Sequence, residues 1–222
     1  VVGNGAAELL YAICRLPGYT GAFVPAPGFS EYKAALEASR IPVRDIYYRP
    51  REDEHGKPYF EVPYLALETF AAELKGQDGR IIVFLGNPNN PDGTLLDKNH
   101  ILTIASMLKD ANSLLVIDES FIDFVGNDTL QDNEYSMRSL VNEFDNIIVV
   151  HSFTKFYAVP GLRIGAAFSN PLIIEQLNSF IPTWSVNTLA QSYTEAALND
   201  VEYVKRTKQV LHEEQLFMYN SL

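Results

Sequence analysis

Cysteine is almost missing from this chain: there is one, Cys14, in 222 residues. An intrachain disulfide is therefore excluded, and a lone thiol fits a reducing compartment, so the expected location is the cytoplasm. Basic residues are also scarce, 17 Lys and Arg against 28 Asp and Glu, a formal charge of −11. That excess repels nucleic acid and anionic membrane surfaces, and neither is expected as a partner. No apolar run approaches the roughly 20 residues needed to span a bilayer. The opening VVGNGAAELL lacks the basic flank of a signal peptide. Cys14 and the four histidines, His55, His100, His151 and His212, fall at no metal-binding spacing, so no metal site is predicted.

What is present is an apolar fraction of 47%, enough for a sizeable core in one large α/β domain or two small ones. Short apolar runs, GAFVPA, IPVRDIYY, RIIVFLG, SLLVIDE, NIIVVHS and RIGAAFS, read as strands. Between them AAELLYAICRL, SEYKAALEAS, YLALETFAAELKG and LDKNHILTIASMLKD carry apolar residues at helical spacing. Several strands are apolar without alternation, as expected when helices cover both faces of a parallel sheet. The predicted fold is α/β, a three-layer sandwich with a mostly parallel central sheet. The polar stretches YRPREDEHGKPYFEVP and VGNDTLQDNEYSMRS read as surface excursions. No internal boundary is visible, and from about Asn187 the pattern becomes one or two long helices. The chain enters at Val-Val and leaves inside a periodic run, so a fragment, 1–222, is expected, with 187–222 leading towards a further part.

Ligands of open parallel sheets collect beyond the carboxyl ends of the strands. Four unusual stretches fall there: GNGAAE, GNPNNPDG, DESFIDF and HSFTK. In the first, the N–H groups around Gly5, Ala6 and Ala7 suit an anion at a helix start, or the stretch is an ordinary cap with Glu8 folded back. In the second, Asn90 is the candidate to donate an amide to a ring oxygen, against the plainer reading of a tight loop. Asp118 ends an apolar strand, where a carboxylate needs a cation or several donors; a salt bridge or cap would serve equally. Glu119 and Asp123 are expected to face solvent or cap a turn. In SFTKFYAVPGLRIG, Lys155 sits among Phe153, Phe156 and Tyr157, a setting that suggests burial, a lowered pKa and Schiff-base chemistry. A snorkelling or ion-paired lysine is the alternative. Arg163 offers a planar fork for phosphate, with Ser152 and Thr154 adding hydroxyls.

Taken together and in this order, SFTKFYAVPGLRIG, NPNNPDG and DESFIDF resemble the fold-type-I pyridoxal-phosphate (PLP) enzymes, in particular the histidinol-phosphate aminotransferase and threonine-phosphate decarboxylase group. The likeness runs from GNGAAE to TWSVN. It implies a PLP-binding large domain in which Lys155 holds the cofactor covalently and later moves protons on the substrate carbon. It implies that Asp118 pairs with the ring nitrogen, Asn90 with the ring oxygen, and that Phe29 of APGFSEY stacks on the ring. Gly5, Ala6 and Ala7, with Ser152, Thr154 and Arg163, would hold the phosphate. A phosphorylated amino acid or amine as substrate, and a homodimer in the full-length protein, are also implied.

Ala6 and Ala7 stand where the family often has Ser-Asp or Ala-Asp, and Phe121 where many aminotransferases have tyrosine. The wording of DESFIDF, TKFYAVPGLRIG and TWSVN leans to the decarboxylase branch, hence to threonine phosphate and cobalamin assembly. A histidinol-phosphate or related aminotransferase is the alternative, and a non-catalytic module on the same fold another. A nicotinamide-binding reading fails because no Gly-x-Gly-x-x-Gly follows a strand.

Overall fold

Leu114–Asp118 and Ile147–Ser152 are buried at every position, because both faces of each strand are covered. These runs form the middle of a seven-stranded sheet in a computed structural model that describes residues 1–74, 79–126 and 133–221. In chain order the strands are β1 (Val2–Gly3), β2 (Tyr19–Ala26), β3 (Val43–Tyr47), β4 (Arg49–Glu52), β5 (Pro58–Glu61), β6 (Arg80–Gly86), β7 (Leu114–Asp118), β8 (Ile147–Ser152) and β9 (Gly165–Phe168). The helices are α1 (Ala6–Ile13), α2 (Ser30–Ala38), α3 (Tyr64–Glu73), α4 (Lys98–Asp110), α5 (Phe153–Phe156), α6 (Pro171–Asn178), α7 (Thr188–Leu198) and α8 (Val201–Ser221).

The large sheet has the order β1-β9-β8-β7-β6-β2-β3. It is parallel except for β9, which runs antiparallel to both of its neighbours. Alternate strand residues sort into two cores. Ile81, Val83, Leu85, Leu115, Ile117, Ile147 and Val149 pack with α3 and α4. Ile82, Phe84, Leu114, Val116, Ile148 and Val150 pack with α1, α2 and α6. The predicted three layers are thus present, and each buried Ile, Leu or Val contributes about 1.5–3 kcal/mol.

Caps set helix starts: Asp97 accepts from the N–H groups of Asn99 and His100, and Asn170 from those of Leu172 and Ile173. No described helix is long and apolar enough to cross a membrane.

The first polar excursion is an antiparallel hairpin, β4 with β5, mostly exposed. The second differs from expectation. Its residues 127–132 lie outside the described residues, but Asn133, Ser136 and Met137 are buried. They are drawn in by polar anchors: Asn133 donates to the carbonyls of Ile122 and Val125, and Ser136 and Met137 bind Glu119. β1 also went unread, since two residues give no periodicity. From Asn187 the helices α7 and α8 follow.

Candidate active site at the strand tips

Register explains why distant motifs meet. Gly3 pairs with Gly165 and Ser152 with Gly165, while Asp118 pairs with Val150 and Gly86 with Asp118. The carboxyl ends of β1, β6, β7 and β8 therefore share one rim. Because β9 runs the other way, it is its start, just after Arg163, that reaches this rim.

At the rim, Phe29, Tyr32, Pro88, Asn90, Asp118, Ser120, Phe121 and Lys155 line one small recess. Asp118 is buried and accepts three hydrogen bonds. The Tyr32 hydroxyl donates to Oδ2 at 2.9 Å; the Ser120 N–H and hydroxyl donate to Oδ1 at 2.9 and 2.6 Å. Among the described residues, hydrogen-bond donors rather than a paired cation meet the cost of burying this carboxylate. Burial first, and then the charge of Asp118, push the Tyr32 phenol well above its ordinary range, so it is the donor of the pair.

The loop after β6 divides its asparagines by task. Asn87 is fully buried, donates to the Tyr135 carbonyl at 2.8 Å and accepts from the Leu96 N–H at 3.1 Å. Asn89 donates to the Pro27 carbonyl at 3.0 Å and also meets Asp92. Asn90 is half-buried and faces the recess.

Lys155 is a correction. Its aromatic neighbours predicted burial, yet the residue is exposed, while Phe156 and Tyr157 are buried. The single turn of α5 sends the rings into a cluster with Val204 and the amine outward into the recess, where Nζ lies 5.8 Å from the Phe121 ring centroid. Glu119 and Asp123 are a second correction, being buried rather than solvent-facing. Glu119 accepts from the Ser136 hydroxyl at 2.7 Å and the Met137 N–H at 2.5 Å, and Arg138 Nε lies 3.8 Å away. Burial raises its carboxyl above the ordinary value, with those donors opposing. Asp123 is held by His151 at 3.0 Å.

Next to the recess is a corner built from α1, α5 and the turn before β9. A Cβ on Gly165 would meet the Ala6 nitrogen at 2.6 Å and the His151 carbonyl at 2.9 Å, so only glycine lets α1 close on β8 and β9. Gly5 has φ +85, and a Cβ there would meet the Arg163 guanidinium at 2.5 Å. Arg163 is itself left-handed, at φ 56, and donates to the Pro160 carbonyl at 3.1 Å. The Ser152 and Thr154 hydroxyls are buried and 2.7 Å apart.

One donor differs from expectation. The Gly5 N–H is taken by the Gly3 carbonyl at 2.8 Å, while Ala6 and Ala7, as first residues of α1, carry N–H groups with no acceptor within the helix. Glu8 does fold back, accepting from the Asn4 N–H at 2.6 Å, so cap and open donors coexist. Asn187 donates to the Leu162 carbonyl at 3.0 Å and caps α7, fixing the segment that carries Arg163.

The candidates therefore fall into two adjoining groups, Phe29, Asn90, Asp118 and Lys155 at the recess and the Gly5 to Ala7 turn, Ser152, Thr154 and Arg163 at the corner. An amine, a carboxylate, an amide and an aromatic face beside a corner of open N–H, hydroxyl and guanidinium groups have the chemistry to hold a flat, polar ring bearing an acidic group. Sequence reasoning missed Tyr32 and Ser120. The spacing of Phe29 and Tyr32 on one helical face was the available signal.

The family described as aminotransferase class I and II matches residues 1–222. The chain is 35% identical over 210 residues to the "Adenosylcobalamin biosynthesis bifunctional protein CobDQ" of Leptospira interrogans, covering 94% of this chain and 22% of that protein. It is 31% identical over 222 residues to a "Putative threonine-phosphate decarboxylase" of Caldanaerobacter subterraneus, covering all of this chain and 56% of that protein. Among solved structures, the histidinol-phosphate aminotransferase of Clostridium acetobutylicum superposes with a TM-score of 0.80 at 23% identity, over 99% of this chain and 60% of that one. The chain spans little more than half the length of that decarboxylase and less of the bifunctional protein. The match over its whole length makes this chain a member of the class I and II aminotransferase family.

Proposed function

We propose that the chain is the cofactor-binding large domain of a PLP enzyme that acts on a phosphorylated amino acid, decarboxylating L-threonine O-3-phosphate to aminopropanol phosphate. The observation that carries this reading is the convergence of Lys155, Asp118, Asn90 and Phe29 on one recess beside the Arg163 corner. These residues fit PLP by the chemistry of their groups. When bound, the cofactor supplies an electron sink for the bond broken at the substrate carbon.

Lys155 would hold the cofactor through its side-chain amine and would move a proton at the substrate carbon; its exposure in the recess leaves it free to do both. Asp118 would favour a protonated ring nitrogen by opposing its charge. Asn90 would donate to the ring oxygen, and Phe29 would pack against the ring. The Ala6 and Ala7 N–H groups, Ser152, Thr154 and Arg163 would hold the phosphate. Phe121 carries no hydroxyl, so the ring oxygen has one donor fewer than in a chain with tyrosine there.

The names of the relatives above support the decarboxylase branch, as does a threonine-phosphate decarboxylase of Salmonella typhimurium, 31% identical over 228 residues. The histidinol-phosphate aminotransferase of Bdellovibrio bacteriovorus, 28% identical over the whole chain, favours transamination as the second reading. Cytoplasmic location and a homodimer belong to the same proposal.

Incubating the intact protein with threonine phosphate and with histidinol phosphate separates the two. Carbon dioxide release without a keto acid supports decarboxylation; strict dependence on 2-oxoglutarate overturns it. Adding PLP to the intact protein should raise a visible absorption band that is lost in Lys155→Ala. No band in the unaltered protein removes the cofactor reading altogether.

A further inference from the structure

Tyr32 stands out because its hydroxyl is spent wholly on one partner. The ring is 2% exposed, lies stacked on Phe84 at 5.2 Å and meets Phe29 edge-on at 5.6 Å. This packing fixes the phenol, and its O–H, carried on α2, reaches Asp118 Oδ2 at 2.9 Å. Ser120, two residues beyond Asp118, fixes Oδ1. A carboxylate clamped at both oxygens cannot rotate about its last torsion, and its orientation is set before any ligand arrives.

We propose that Tyr32 is a positioning residue: its hydroxyl, with Ser120, presets the Asp118 carboxylate for a protonated heteroaromatic nitrogen, so that the recess selects a nitrogen-containing ring over its carbon analogue. This deepens the PLP reading and rests on it. Preorganised charge is most effective where no reorientation is needed, and a carboxylate short of one donor would turn to find another. Tyr32 also braces Phe29, the ring-covering candidate, so the same side chain orders both the edge and the face contacts.

The test is a ratio. The affinity of the intact protein for PLP is measured against that for its 1-deaza analogue, in which C–H replaces the ring nitrogen, by fluorescence quenching in the unaltered protein and in Tyr32→Phe. The variant keeps the ring and removes one oxygen. The expected result is a preference for PLP over the analogue that shrinks at least about fivefold in Tyr32→Phe, with affinity for the analogue nearly unchanged, as for loss of one charge-assisted hydrogen bond. Ser120→Ala should shrink the preference in the same direction, and it carries the test should Tyr32→Phe not fold. Phe84→Leu, which loosens packing without touching the hydroxyl, should weaken both ligands in parallel. Equal weakening of both ligands in Tyr32→Phe reduces Tyr32 to packing and overturns the inference while leaving the PLP reading standing. Failure of the unaltered protein to bind PLP overturns both.

Discussion

His151 Nε2 stands 3.0 Å from Asp123 Oδ2, with both side chains almost sealed from water. His151 sits one residue before Ser152 on β8, and Asp123 lies in the turn after β7, so the pair ties the two central strand tips together behind the recess. The other ring nitrogen, Nδ1, has no hydrogen-bond partner among the described residues. Asp123→Ala would leave the buried imidazole without any partner and should cost about 3 kcal/mol. Asp123→Asn, which keeps an acceptor, should cost less. Urea unfolding of both variants checks this, and two curves matching the unaltered protein would refute it.

Glu119 makes a prediction with a sign. Its folded carboxyl lies above the ordinary value of 4.5 because of burial. Between that value and its folded-state value the native protein holds a proton the unfolded chain has released. Raising the pH across this window therefore lowers stability, and Glu119's contribution is most favourable below 4.5. In Glu119→Gln that dependence should vanish. The stability difference, unaltered protein minus variant, should fall as pH rises from 4.5; a rise or a flat line contradicts the sign.

Cys14 is buried, and burial pushes its thiol up to about 12. The thiolate is the reactive form, so the folded protein should resist a thiol reagent at pH 8. Reaction should become rapid in urea above the unfolding midpoint. Fast stoichiometric labelling under native conditions would show that α1 opens far more readily than its packing implies.

Neighbouring asparagines should behave oppositely. Asn89 is buried and hydrogen-bonded, so Asn89→Ala should destabilise by about 2 kcal/mol. Asn90→Ala should change stability by less than about 0.5 kcal/mol while weakening PLP binding severalfold. Thermal melts of the cofactor-free protein and PLP titrations together decide; equal melting losses would count against the division of labour.

Gly5→Ala should damage the anion corner by two routes. It places a side chain at φ +85 and into the Arg163 guanidinium. PLP affinity should drop more than tenfold, and added inorganic phosphate should compete less well than in the unaltered protein. Unchanged competition would mean that phosphate does not sit against Arg163.

The layered fold was legible because β6, β7 and β8 are continuous apolar runs, a pattern that only two-sided burial sustains. Six strands and four helices could be placed from periodicity. β1 could not, since Val2 and Gly3 acquire meaning only from their pairing with β9. The candidate site was readable as motifs, while the environments of its members were not. Lys155 reads as buried because chain neighbours are buried, yet within the single turn of α5 it is exposed while the adjacent Phe156 is buried. Glu119 and Asp123 read as surface acids because their partners, Ser136, Met137 and His151, arrive from 17, 18 and 28 residues later in the chain.

The reversal of β9 also has a temporal side. The Val1 nitrogen donates to the Ala167 carbonyl at 2.9 Å, and Gly165 seats the Ala6 turn, so the corner unites residues 1–6 with those some 160 positions later. Such distant closure is slow. A growing polypeptide would have no such corner to offer an acidic ligand until β9 has left the ribosome and inserted beside β8, so ligand uptake should follow that insertion rather than seed folding.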